Sequence, residues 1–355
     1  MNRFEKLFNI LGNDTESILI TSDINRRYLS GMKSSAGYIL AFPEKAYLLI
    51  DFRYFEKAKK TVEDCEVILL KSLKNQCREL LKKYNAKSIS IESDNVTISD
   101  LQELNKYFEG YELDITSKLS NAITQLRSIK TPDEIDKITK AQRIAEKAFE
   151  NVLNFIKPGK TEKEIALELD FYMLRNGAEA LSFDTIALTG KNTSLPHGVP
   201  SDATVKSGDF VLMDYGAVFD GYHSDMTRTI CVGTPTDEMK VVYDTVLRAQ
   251  SKALDYVKSG ITGKELDAVA RSEIFLAGYG DNFGHGLGHG VGMEIHEYPN
   301  AAPTFDKIIE ENTVITIEPG IYLPDKFGVR IEDFVVVKQD FCENITKCAK
   351  NLICI

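Results

Sequence analysis

Two stretches of the chain repeat one another. Ile156-Lys157-Pro158-Gly159-Lys160-Thr161-Glu162-Lys163-Glu164-Ile165 is matched by Val257-Lys258-Ser259-Gly260-Ile261-Thr262-Gly263-Lys264-Glu265-Leu266. In each, glycine closes one helix and a Thr-x-x-Glu capping box opens the next. Downstream, Val211-Leu212-Met213-Asp214-Tyr215-Gly216 parallels Ile315-Thr316-Ile317-Glu318-Pro319-Gly320, and the run after Thr227 parallels the run ending at Val337. The second part of the chain therefore reads as two related halves, each helix–helix–strand–strand.

The repeat matters because each half carries two carboxylates on adjacent apolar runs. Asp214 and Asp225 lie eleven residues apart, a spacing that suits facing positions across a hairpin. Glu318 and Glu332 stand at the equivalent places of the second half. Taken alone, Asp214 and Asp225 also read as turn aspartates beside Gly and Ser. Glu332, flanked by Ile331 and by Asp333-Phe334-Val335, needs a partner if it is buried.

Between the pairs runs Phe283-Gly284-His285-Gly286-Leu287-Gly288-His289-Gly290-Val291-Gly292-Met293-Glu294-Ile295-His296. This glycine-rich turn holds three of the five histidines. It lacks the Lys-Ser/Thr ending of a phosphate loop. Four acids and one imidazole suit a pair of hard or borderline divalent ions such as Mn²⁺ or Co²⁺, which share a water and lower its pKa. Hydrolysis of a peptide bond fits such a centre.

Ahead of this, short apolar runs at 17–20, 38–42, 46–50 and 88–91 read as strands, with Pro43-Glu44-Lys45 as a turn and a helix over 72–84. No histidine occurs there. A boundary falls near Ile129, before a helix start at Thr131-Pro132-Asp133-Glu134 whose helix runs to Pro158-Gly159. The expected fold class is α+β with two domains, 1–128 and 129–355. A net charge of −10 disfavours nucleic acid and anionic membrane as partners. No long uncharged apolar stretch predicts a membrane span, and the start lacks a secretory pattern. Six cysteines without a CxxC pair fit reduced thiols in a cytoplasmic protein. The tail cysteines Cys342, Cys348 and Cys354 match no zinc spacing.

The segments around Asp214, Asp225, His289, Glu318 and Glu332 resemble the pita-bread metallopeptidases, the group of aminopeptidase P, prolidase and methionine aminopeptidase. Asn25–Gly31 and Leu49–Tyr54 resemble the creatinase-type N-terminal domain, which methionine aminopeptidases lack. Leu195-Pro196-His197-Gly198 resembles the histidine loop of X-Pro peptidases. The resemblance implies a small mixed α/β first domain and a pita-bread catalytic domain with a pseudo-twofold repeat. It implies two divalent metal ions, Mn²⁺ foremost and Co²⁺ or Zn²⁺ next. Asp214 and Asp225 would chelate one ion, His289 and Glu318 would complete the second, and Asp225 and Glu332 would bridge.

The same resemblance makes Glu318 the general base and gives His197 and His296 the oxyanion. His285 would line the proline pocket, with Tyr322 at its border, and Arg330 would orient carboxylates. His223 matches no functional position and reads as structural. The expected partner is a peptide with proline second, bound by a homodimer. The chain has no tryptophan, so no Trp wall from a neighbouring subunit carries over. Absence of an extra basic insertion tilts the reading to Xaa-Pro aminopeptidase, with Xaa-Pro dipeptidase as the alternative. A non-catalytic binding module or a metal-free creatinase-type hydrolase would have lost some of the five positions.

Overall fold

Short β-branched runs alternating with capped amphipathic helices give the first part of the chain one mixed sheet. The computed structural model describes residues 2–355, which divide into two units, one ending at Arg127 and one beginning at Ser128. The strands of the first are β1 (Ile18–Ile20), β2 (Tyr38–Phe42), β3 (Lys45–Ile50), β4 (Glu66–Leu69), β5 (Ser88–Ile91) and β6 (Glu112–Asp114), in spatial order β4-β3-β2-β1-β5-β6. Only β2 runs against its neighbours. Its helices are α1 (Arg3–Leu11), α2 (Asp23–Ser30), α3 (Phe52–Thr61), α4 (Leu73–Lys83), α5 (Ile98–Tyr107) and α6 (Lys118–Ser128). The core packs Leu19, Leu40, Leu49 and Ile89 under Leu81 and Leu104. The β2–β3 turn is one residue shorter than expected, since Lys45 already pairs with Phe42.

The second unit opens with α7 (Pro132–Val152), whose Thr131–Glu134 capping box and Pro132 follow the sequence expectation. Its helix ends at Val152, earlier than expected. Pro158 disfavours helical geometry at Lys157, and the chain leaves through a turn in which Phe155 N bonds Val152 O at 2.9 Å. Next come α8 (Glu162–Arg175), β7 (Ala180–Leu181), β8 (Ile186–Thr189), β9 (Phe210–Tyr215), β10 (Ala217–Phe219), β11 (Tyr222–His223) and β12 (Met226–Cys231). The second half contributes α9 (Asp237–Tyr256), α10 (Gly263–Leu276), β13 (Gly288–Gly290), β14 (Glu297–Ala301), β15 (Val314–Ile317), β16 (Gly320–Leu323), β17 (Phe327–Arg330), β18 (Asp333–Val337) and β19 (Cys342–Asn344).

The repeat is visible bond by bond. Gly159 (φ 93°) and Gly260 (φ 91°) hold the left-handed conformation in the turn between the two helices of each half. Gly159 N donates to Val205 O at 2.9 Å, and Gly260 N to Ile309 O at 3.0 Å. Val205 N returns to Lys160 O, as Ile309 N returns to Ile261 O, both at 2.8 Å. Thr161 and Thr262 then cap α8 and α10 with full capping boxes.

Each half surrounds a central strand. The first sheet is ordered β12-β9-β8, the second β14-β13-β15-β18-β19. Strand alternation decides where the acids go. Val211, Met213 and Tyr215 of β9 pack under α7 and α8, and Ile315 and Ile317 of β15 pack in the core of α9 and α10. Their neighbours Asp214 and Glu318 must face the other way. Met226 and Ile230, and Val335 and Val337, set the same parity on β12 and β18, turning Asp225 and Glu332 to that face as well. Helices thus cover one face and carboxylates collect on the other. Among the described residues no helix is long and apolar enough to cross a membrane.

The matched caps give a direct test. Thr161→Ala and Thr262→Ala each remove a side-chain acceptor from an equivalent helix start and should each cost about 1 kcal/mol. Calorimetry should show lowering of the transition by roughly 2–4 °C in both single variants. A large cost in one and none in the other would contradict the equivalence of the halves.

Candidate metal centre

The five residues of the sequence expectation arrive from five strand ends or strands. Asp214 lies in β9, Asp225 one residue before β12, His289 within β13, Glu318 one residue after β15 and Glu332 one residue before β18. All line one cavity of about 530 Å³. Two local expectations need correction. Asp214 pairs with Thr227, so Asp225 is its diagonal rather than facing neighbour. The chain between them leaves the sheet as the β10–β11 ribbon, turning at Gly216, where a Cβ would meet Ser224 O at 1.9 Å. His289 sits on a strand rather than in a turn. Gly288 lets β13 press against β15, since a Cβ there would lie 2.0 Å from Thr316 O.

The two sheets meet where Glu332 N donates to Thr227 O at 3.1 Å. Around this seam the acids crowd. Ligand-type atoms of Asp225, His289 and Glu332 lie within 4.8 Å of one another. His289 Nε2 is 3.5 Å from Asp225 Oδ2 and 3.3 Å from Glu318 Oε1. Its Nδ1 faces Gly290 O at 3.1 Å, and a carbonyl can only accept, so Nε2 is the nitrogen turned to the acids. Burial and the neighbouring carboxylates, Glu332 foremost, push Asp225 well above the usual carboxylate range; burial and Glu318 do the same to Glu332. Asp214 rises through burial, against the pull of Arg330. Burial works against charge on both Glu318 and His289, yet their contact wins: Glu318 is held down to about 2 and His289 is raised.

Two carboxylate oxygens here, Asp214 Oδ1 and Glu332 Oε1, are buried without a hydrogen-bond partner. Buried acceptors left unpaired are costly. An oxygen-rich donor set with one imidazole and two such orphans fits divalent cations.

Outer contacts hold the set in place. Arg330, 3% exposed, donates from Nη2 to Asp214 Oδ2 at 2.6 Å, from Nε to Thr227 Oγ1 at 3.0 Å and from Nη1 to the Tyr322 hydroxyl at 2.8 Å. Tyr322 in turn meets His285 Nε2 at 3.0 Å, while His285 Nδ1 faces Gly286 O at 2.8 Å. That carbonyl accepts from Nδ1–H, burial lowers the ring's pKa and so favours its neutral form, and in that form Nε2 accepts from Tyr322. His197 and His296 lie exposed on the cavity wall, His296 with its ring centroid 4.3 Å from that of His289. His223 is outside that lining and bonds Ser182 Oγ at 2.9 Å.

Sequence reasoning missed the residues that brace these segments. Arg228 ties β12 to β18, reaching Asp333 Oδ1 at 2.7 Å, Glu332 O and Thr227 O. Asp267 of α10 accepts from Leu287 N at 3.0 Å, and its ion partner Arg271 donates to Phe283 O and His285 O. A charge set in each apolar run, Arg228 three residues after Asp225 and Asp333 directly after Glu332, was the available clue. The Asp267–Arg271 spacing of one helical turn was another.

Comparison with known proteins comes down on the same region. Residues 136–339 match the description Metallopeptidase family M24, and residues 3–129 match the Creatinase/Prolidase N-terminal domain. The Xaa-Pro dipeptidase of Pyrococcus furiosus is 39% identical over 354 residues, covering 99% of each chain. The solved Xaa-Pro dipeptidase of Bacillus anthracis is similar with a TM-score of 0.94 and 40% identity, covering 99% of this chain and 98% of that one. The X-Pro aminopeptidase of Thermotoga maritima follows at 0.93 and 37%, covering 100% of both.

The crowding predicts a pH dependence for metal-free protein. Asp225, Glu332 and His289 all hold protons more tightly folded than unfolded, so stability falls as pH rises through their folded values. His223, His285 and His296 have lowered values and oppose this only below the ordinary histidine range of about 6.5. As pH rises above about 6.5 the metal-free protein should therefore lose stability in denaturant titrations. Mn²⁺ at about a hundred times its Kd should add about 2.7 kcal/mol and flatten that slope. Asp225→Asn should abolish the metal's effect while remaining folded; an unchanged Mn²⁺ response would contradict its place in the centre.

Proposed function

Because the chain belongs to metallopeptidase family M24, we propose that it is a two-metal Xaa-Pro dipeptidase. The observation that carries this reading is the complete five-residue donor set around one cavity, with two buried carboxylate oxygens still lacking partners. The sequence by itself tilted to the aminopeptidase for want of a basic insertion. Full-length likeness to proteins bearing the dipeptidase name moves the reading to the dipeptide. Aminopeptidase action stays as the second reading, favoured by the similarity to the Thermotoga maritima protein.

Asp214, Asp225, His289, Glu318 and Glu332 would hold the ions, Mn²⁺ in first place with Co²⁺ or Zn²⁺ as alternatives. When bound, such a pair lowers the pKa of a shared water and polarises a carbonyl. Glu318, kept ionised beside His289, would accept the proton of the attacking water at a carboxylate oxygen. His197 and His296 stand on the cavity wall to donate to the oxyanion. Neutral His285 forms the wall for the proline ring; Tyr322, expected at the pocket border, lies outside the cavity lining and backs His285 through its hydroxyl, and Arg330 positions Asp214 through its 2.6 Å bond. The reading includes an N-terminal domain over 1–128, a catalytic domain over 129–355, a homodimer and a cytoplasmic setting, in which the free thiols would stay reduced.

Chelator-stripped protein reloaded with Mn²⁺ should hydrolyse Gly-Pro faster than it releases arginine from Arg-Pro-Pro, and should leave Gly-Gly-Gly intact. Glu318→Gln should lower kcat by about 10²–10⁴-fold. Preference for Arg-Pro-Pro would install the aminopeptidase reading; cleavage of neither, with metal bound, would sink both.

A further inference from the structure

The acid-lined face has two outer edges of unlike chemistry. Across it the strands run β8, β9, β12 and then β18, β15, β13, β14. At the β8 edge Ile186 stands opposite Asp214, and Asp184, two residues earlier and of the same parity, offers an exposed carboxylate to the cavity. At the β14 edge Asn300 stands directly opposite His289. Directly opposed residues place their Cβ atoms on the same face, about 5 Å apart. Asn300 lines the cavity, is exposed, and its carboxamide bonds to no other described residue.

A dipeptide brings an ammonium at one end and a carboxylate at the other. The cavity lining contains no lysine and one guanidinium, Arg330, whose three nitrogens are already engaged by Asp214, Thr227 and Tyr322. A substrate carboxylate lying near Asp184 would meet like charge. At the β14 edge it meets a neutral amide donor. Resting on the dipeptidase reading above, we propose that Asn300 recognises the free carboxylate of the Xaa-Pro substrate while Asp184 receives its ammonium. Asn300 is then a specificity-determining residue. A carboxamide grips a carboxylate less firmly than a guanidinium does. It also presents a carbonyl that accepts N–H, so it tolerates an amide in place of the carboxylate. The chain should therefore favour dipeptides over longer X-Pro peptides only modestly.

The test measures carboxylate preference apart from turnover. L-proline and L-prolinamide are titrated calorimetrically into the Mn²⁺-loaded wild type, Asn300→Asp and Asn300→Arg. The proline-to-prolinamide affinity ratio should fall about tenfold in Asn300→Asp and rise about tenfold in Asn300→Arg, the worth of one charge-assisted bond. KM for Gly-Pro should shift relative to Gly-Pro-amide in the same directions. Asp184→Asn should instead weaken Gly-Pro and Gly-Pro-amide alike, since both carry the ammonium. An affinity ratio unchanged in both Asn300 variants, each showing a normal thermal transition, would overturn the assignment. Wild type that cleaves neither Gly-Pro nor its amide would sink the dipeptidase reading, while the binding ratio would still judge Asn300.

Discussion

Mutual repulsion among four carboxylates on one sheet face is the constraint on which the rest of the second unit depends. Folding withdraws Asp225 and Glu332 almost wholly from water, at 4% and 1% exposure. Isolated buried charges of this kind carry a heavy desolvation cost. The protein offsets it locally in two ways, with Arg330 on Asp214 and with His289 between Asp225 and Glu318. Neither bonds to Glu332, whose one side-chain hydrogen bond among the described residues is from Thr227 at 2.7 Å and whose other oxygen is unpaired. Positive charge from outside the chain is what this arrangement lacks, and membership of a metallopeptidase family says which kind of charge it is built for.

The repeated halves explain how such a face can exist in a stable protein. Each half has its own apolar core beneath its own pair of helices, so the acids never compete with packing for the same side of a strand. The seam between the halves is then stitched by polar groups that the acids do not use. Arg228 spans it with bonds to Asp333, Glu332 O and Thr227 O, and Thr229 Oγ1 donates to Arg330 O at 3.0 Å. Such bracing keeps the donor geometry from relaxing outward, which holding a divalent metal requires.

Where the halves differ, the chemistry differs. The first supplies two aspartates and an edge ending in Asp184; the second supplies the imidazole, two glutamates and an edge ending in Asn300. A symmetric scaffold with asymmetric edges would, on the proposal above, give a dipeptide a direction, amino end toward one half and carboxyl end toward the other. The glycines of the second half serve the same end, since only a residue without Cβ admits β13 between β14 and β15 with His289 turned inward.

The capping boxes, the β-branched runs and the paired acids are local features, and local features were readable from residue order alone. Thr131, Thr161 and Thr262 announce their helices because a cap involves three or four consecutive residues. The duplicated Asp and Glu positions announced a centre because a charge set within an apolar run is costly to bury unless something binds it. Register and proximity were decided only by tertiary structure. Nothing in the sequence says that Asp214 pairs with Thr227, that β13 is a strand, that Arg228 reaches Asp333, or that Asn300 faces His289. Those pairings join residues far apart in the chain, and they are selected by which whole set of strands can bury its apolar face at once.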